Sequence, residues 1–108
     1  MPTFAIIDDD FTSREVLHSL LLSQYPGAQF FSADSVQSGL QLLKNVVPDV
    51  AILDVELPDG LVFDLLKQLP TIPFKLIFVS GFNKYALDAI KFSAFDYLLK
   101  PVVPAEFS

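Results

Sequence analysis

Three consecutive aspartates, Asp8-Asp9-Asp10, follow the apolar run Phe4-Ala5-Ile6-Ile7, and Asp54 follows Val50-Ala51-Ile52-Leu53. A hydroxyl, Ser80, closes Leu76-Ile77-Phe78-Val79, and Lys100-Pro101 closes Tyr97-Leu98-Leu99. Two carboxylates about 4 Å apart repel by roughly 4 kcal/mol at an effective dielectric of about 20, so a cluster of them calls for a proton or a cation. With no His or Cys in these motifs, an all-oxygen ligand set favours a hard divalent ion, Mg²⁺ or Mn²⁺. That ion suits phosphoryl chemistry: one carboxylate acts as nucleophile toward phosphorus, while the metal, an ammonium and a hydroxyl stabilise charge on the transferring group. Singly, an Asp or Ser after a strand is ordinarily a loop residue or a helix cap. Four strands that all deliver such groups to one rim form a constellation that chance seldom supplies.

The elements that would position these groups are legible as short apolar runs alternating with segments of helical period, the α/β signature. The runs at Phe4, Val50 and Leu76 are continuous rather than alternating, as expected for parallel strands buried on both faces. Gln29-Phe30-Phe31 reads as a weaker edge strand and Tyr97-Leu98-Leu99 as the last strand. Val16, Leu17 and Leu20 to Leu22 recur near the helical period until Pro26-Gly27 stops them. Val36, Leu40 and Leu43 mark a second helix, with Ser35 as N-cap and Pro48 as stop. Leu65, Leu66 and Leu69 mark a third that Pro70 ends, and residues from about Asn83 to Ser93 a fourth. A fifth helix is expected to begin at Pro104-Ala105-Glu106-Phe107 as the chain stops, which predicts a truncated element. In an open parallel sheet ligands bind outside the carboxyl ends of the strands, where all the polar residues above fall.

Composition narrows the function classes. At 108 residues the chain allows one domain, 1–108, able to bury about two-thirds of its unfolded surface. The absence of cysteine excludes disulfide scaffolds and cysteine zinc sites, and 13 acidic against 7 basic residues disfavours nucleic-acid binding by this segment. Mean hydropathy is +0.48 and 52% of residues are hydrophobic, yet no apolar run approaches the roughly 18 to 20 residues that span a bilayer. Met1-Pro2-Thr3-Phe4 is not a secretory signal, so the expected location is cytoplasmic, without membrane contact. Strands buried on both faces account for the apolar surplus, together with a sheet face left for the missing helix or another chain.

Asp8-Asp9 after an apolar strand, the stretch Asp49 to Pro58, Val79-Ser80-Gly81 and Asp96 to Pro101 together resemble the receiver domain of two-component response regulators. Tyr85-Ala86-Leu87-Asp88-Ala89-Ile90 followed by Asp96 to Pro101 is most similar to the LytTR-type transcription regulator branch. The resemblance implies a five-stranded parallel sheet of flavodoxin-like order 2-1-3-4-5, with helices on both faces. It implies phosphorylation of Asp54 by a sensor histidine kinase, with Asp9, Asp54 and the backbone carbonyl of Glu56 on Mg²⁺ and Asp8 acting mainly through water. Ser80 and Lys100 would contact the phosphoryl oxygens, Ser80 and Tyr97 would form the switch, and the Lys100-Pro101 bond would be cis. The fourth helix and fifth strand would be the output surface. With the fifth helix they would also form a homodimer face, and DNA would be reached only through an output domain outside this chain. Val62 stands where the family commonly has glycine, and Gly81 where it frequently has alanine.

Competing roles attach to several of these residues. Asp10 is expected to cap the first helix rather than assist the metal, and the Glu56 side chain to face solvent while its carbonyl serves the site. Tyr97 is read as the switch rather than as a packing residue, and His18 as a boundary residue without a phosphotransfer role. Ile6 to Thr12 also matches the Asp-x-Asp-x-Thr opening of haloacid-dehalogenase-type phosphatases, with Asp8 as nucleophile and Asp10 as acid/base. That alternative leaves Asp54 unexplained and lacks an acidic motif after Lys100. An unphosphorylated receiver-like binding module is the third reading, for which the complete set Asp8, Asp9, Asp54, Ser80 and Lys100 has no chemical use.

Overall fold

A computed structural model describes residues 2–102. The expected fifth helix, at 104–107, lies outside the described residues. Seven strands and four helices run in the order β1 (Thr3–Ile7), α1 (Phe11–Gln24), β2 (Gln29–Ala33), α2 (Val36–Asn45), β3 (Val50–Asp54), β4 (Glu56–Leu57), β5 (Gly60–Leu61), α3 (Val62–Lys67), β6 (Lys75–Ser80), α4 (Ala86–Lys91) and β7 (Asp96–Leu99). Five of the strands form one sheet in the order β2-β1-β3-β6-β7, and every pairing in it is parallel. With the two-residue strands β4 and β5 set aside, this is the 2-1-3-4-5 order. The chain order reverses at β1, so the crevice between the carboxyl ends of β1 and β3 is the topological switch point of the fold.

The continuous apolar strands are buried on both faces for a visible reason. Ala5, Ile7, Ala51, Leu53, Leu76 and Phe78 face a core shared with Leu43 of α2, Val62, Phe63, Leu65 and Leu66 of α3 and Ala89 of α4. The alternate residues Phe4, Ile6, Ile52, Val79 and Leu98 pack with Leu17 and Leu21 of α1 on the opposite face. Edge strand β2 is largely exposed, consistent with its mixed composition.

Helix boundaries follow local chemistry. Asp10 caps α1, its carboxylate accepting from Ser13 N at 3.3 Å and Ser13 Oγ at 2.8 Å, which is the capping role expected of it. Ser35 caps α2 in a capping box with Ser38. Asp59 adds a second cap from a distance, accepting from Val36 N at 2.7 Å and Gln37 N at 3.1 Å and so fastening the β4–β5 hairpin to α2. Gly39 allows α2 to lie close on the sheet, since a Cβ there would sit 2.7 Å from Leu65 Cδ1 and 2.9 Å from Ile7 Cδ1.

Three boundaries differ from expectation. The fourth helix is only Ala86–Lys91, because Asn83 to Tyr85 form a turn closed by Ala86 N on Asn83 O, and Ser93 takes a positive φ of 57° at the other end. The third helix ends at Lys67, before Leu69, and α2 ends at Asn45, three residues short of Pro48. The hairpin of β4 and β5 has no counterpart in the sequence reading. Val62, in place of the common glycine, is fully buried and opens α3 without a side-chain cap.

Candidate functional site: an acidic cluster at the carboxyl rim

β1 delivers Asp8 at its carboxyl end, where the ladder continues one step through Asp8 N to Ala33 O at 3.1 Å. Asp8 is 1% exposed and is held by three contacts. Asp10 N donates to Oδ1 at 2.9 Å, Arg14 Nη1 donates to the Asp8 carbonyl at 2.7 Å, and the Lys100 ammonium lies 3.2 Å from Oδ2. Arg14 was not singled out in the sequence; its place on the first turn of a helix that follows Asp8 is the signal that would have found it. Asp9, next in the chain, is exposed.

β3 ends in Asp54, 7% exposed, and the register sets it opposite Val79, one residue before the buried Ser80. Ser80 in turn faces Leu99, and Lys100 N donates to Ser80 O at 2.8 Å, which brings Lys100 back over the rim. Its Nζ donates to Asp54 Oδ2 at 3.4 Å. Burial, reinforced by the charge of Asp8, pushes the Asp54 carboxyl up to about 7, against the opposing pull of Lys100. Burial works to lower the Lys100 pKa, but Asp54 and Asp8 outweigh it and the net direction is up, so the ammonium stays charged. The Lys100-Pro101 peptide is cis.

One carboxylate oxygen from each of Asp8, Asp9 and Asp54 lies within 4.8 Å of the others. Asp8 Oδ2 is buried, with no hydrogen bond and only the Lys100 ammonium at 3.2 Å to offset it; that one ammonium faces the carboxylates of Asp8, Asp9 and Asp54, an excess of negative charge that a further cation would balance. Carboxylate oxygens alone, at a rim open to water, suit a partly hydrated Mg²⁺ or Mn²⁺. The residues present therefore fit such an ion. The Glu56 carboxylate is not part of this group; it is exposed and accepts from the Tyr85 hydroxyl at 3.0 Å. Asp10 stands outside the cluster as well, bound to Ser13, which removes the acid/base that the phosphatase alternative requires.

The loop after β6 is tied down on both sides. Phe82 N donates to Ser80 Oγ at 3.1 Å, and the half-buried Tyr97 donates its hydroxyl to the carbonyl of Phe82. Tyr97 thus both packs on the core and holds the loop. Gly81, between them, is exposed with nothing near the position of a Cβ. His18 is half-buried on α1 against the Phe30 ring at 4.3 Å, away from the acidic rim.

Residues 4–108 match the family model of the response regulator receiver domain. An uncharacterized response regulatory protein of Vibrio parahaemolyticus is 36% identical over 110 residues, covering 100% of this chain and 45% of that protein. The sensory transduction protein LytT of Enterococcus faecalis is 38% identical over 100 residues, covering 89% of this chain and 40% of LytT. Among solved structures, a putative response regulator of Chloroflexus aurantiacus superposes with a TM-score of 0.82 at 30% identity, over 97% of this chain and 89% of that one. The chain spans less than half the length of these curated relatives. A parallel sheet of this order, its acidic crevice and a family match across nearly the whole chain lead to one conclusion: the chain belongs to the response regulator receiver domain family and is the receiver domain of a two-component response regulator.

Proposed function

We propose that this receiver accepts a phosphoryl group on Asp54 from a sensor histidine kinase in a Mg²⁺-dependent reaction. The observation that carries the reading is the convergence of Asp8, Asp9 and Asp54 around one point, with Lys100 on Asp54. The divalent ion supplies charge neutralisation for the carboxylates and the incoming phosphoryl oxygens. Asp54 is the nucleophile: a carboxylate oxygen bonds to phosphorus as the phosphorus–nitrogen bond of the donor phosphohistidine breaks, and the imidazole leaves with a proton. With Lys100 beside it but no cation, Asp54 is half-protonated near neutral pH, and a bound cation would favour the ionised form needed for attack. Asp9 and Asp54 would hold the cation together with the Glu56 carbonyl, and Asp8 would assist through water. The same arrangement assists the later hydrolysis of the acyl phosphate.

Phosphorylation converts a charge of −1 into about −2 with new acceptor oxygens. Ser80 is buried at that rim, and its Oγ accepts from Phe82 N, so drawing Ser80 toward a phosphoryl oxygen moves Phe82 with it. That displacement strains the Tyr97 bond to the Phe82 carbonyl and frees Tyr97 to turn, which is the bistable element that phosphate biases. The readout surface is α4 and β7, where Leu87 and Ile90 are more than two-thirds exposed and Leu99 nearly half. This face serves an output domain, a second copy or both, and DNA is contacted only through an output domain of the LytT kind. The location is cytoplasmic, and no helix among the described residues is long and apolar enough to cross a membrane. Titration with Mg²⁺ and then beryllofluoride, followed by amide NMR, tests the proposal. Saturable shifts on both additions at Asp54, Ser80 and Lys100 are expected, and no shift on either would indicate an unphosphorylated module.

A further inference from the structure

Tyr85 stands in the turn before α4, and its hydroxyl donates to Glu56 Oε2 at 3.0 Å, joining that turn to β4, 29 residues away in sequence. The phenol is fixed from the core side. Its ring lies 6.3 Å from that of buried Phe63, which is itself stacked on Phe92 at 5.6 Å, and the Lys84 ammonium sits 5.2 Å over the Tyr85 ring. Burial and the adjacent carboxylate both keep the phenol protonated, so it remains a donor. Glu56, by contrast, is exposed and has no other described side-chain partner. Of the two, Tyr85 is the anchor and Glu56 the group that is held.

Glu56 lies two residues beyond Asp54. Released, its carboxylate would bring a fourth negative charge to a rim where three aspartates already converge, yet in the structure it is absent from that group. We propose that Tyr85 is a positioning residue that restrains the Glu56 carboxylate away from the Asp8, Asp9 and Asp54 cluster, so that no fourth carboxylate adds its charge to the site of the divalent cation. The inference rests on the reading of that cluster as the cation site. A freed carboxylate beside a divalent ion acts as an added anionic ligand, so loss of the tether tightens cation binding. The same charge faces an incoming phosphoryl donor and slows its approach.

The test is calorimetric titration of the protein with MgCl₂ as wild type, Tyr85→Phe, Glu56→Gln and the double variant. Tyr85→Phe is expected to bind Mg²⁺ about fivefold more tightly, the equivalent of one modest hydrogen bond, while Glu56→Gln and the double variant bind alike. Unchanged or weaker binding by Tyr85→Phe overturns the proposal, and so does a gain of the same size in the double variant. Because a misfolded Tyr85→Phe protein would bind more weakly, damage to the fold cannot imitate the expected result. Wild-type protein that binds no Mg²⁺ overturns instead the cation site on which the proposal rests.

Discussion

Lys100 meets Asp54 across 46 positions of sequence, its ammonium 3.4 Å from Oδ2 at the rim where β3, β6 and the end of β7 come together. The same ammonium lies 3.2 Å from Asp8 Oδ2, so one side chain offsets two buried carboxylates. Lys100→Met removes that offset. It is expected to raise the Asp54 pKa further and to lower the stability of the metal-free protein at pH 8 by about 1–3 kcal/mol. Urea unfolding with and without Mg²⁺ measures this, and the loss should shrink when the ion is added.

The pH dependence of the metal-free protein follows from Asp54. Its carboxyl is raised from 3.8 to about 7 by burial and then by Asp8, so between those values the folded state holds a proton that the unfolded chain has released. Stability tied to this group is present below pH 4 and declines as pH rises through 7. Thermal unfolding from pH 5 to 8 should show that decline, and Asp54→Asn should flatten it, with a gain on the order of 1–2 kcal/mol at pH 8. A fall of the same slope in Asp54→Asn would assign it to another group.

Gly39 is the tightest packing point of α2 on the sheet. Gly39→Val places branched carbon against Leu65 and Ile7 and should cost about 1–3 kcal/mol in urea unfolding, more than any gain in helix propensity returns.

The tie between Tyr97 and Phe82 fastens the loop after β6 to β7. Tyr97→Phe should leave the core packing intact but speed amide exchange at residues 82–86 about fivefold, the value of one hydrogen bond. Exchange unchanged at those amides would remove Tyr97 from the proposed switch.

The sheet was readable from sequence because buried parallel strands leave continuous apolar runs, and the polar residue after each run then falls on one rim by topology. That is why Asp8, Asp54, Ser80 and Lys100 could be grouped before any distance was known. What stayed hidden has no period to reveal it. The strands β4 and β5 are two residues each, and their effect, the Asp59 cap on α2, joins residues more than twenty apart. The Tyr85 contact with Glu56 likewise joins a turn to the two-residue strand β4. α4 was overextended because Asn83 to Tyr85 continue its apparent pattern while forming a turn. Two cues of local origin are present in the sequence: Gly39, a glycine inside a helix where the helix lies close on the sheet, and Arg14, on the helical turn that follows Asp8.

The central claim is that Asp54 is the phosphoacceptor. Incubation with acetyl phosphate and Mg²⁺, followed by intact-mass and peptide mass spectrometry, tests it most directly. One phosphoryl group mapping to Asp54, lost in Asp54→Asn and absent when Mg²⁺ is chelated, is the predicted result. Labelling that persists in Asp54→Asn at wild-type level, or that maps to Asp8, would contradict it.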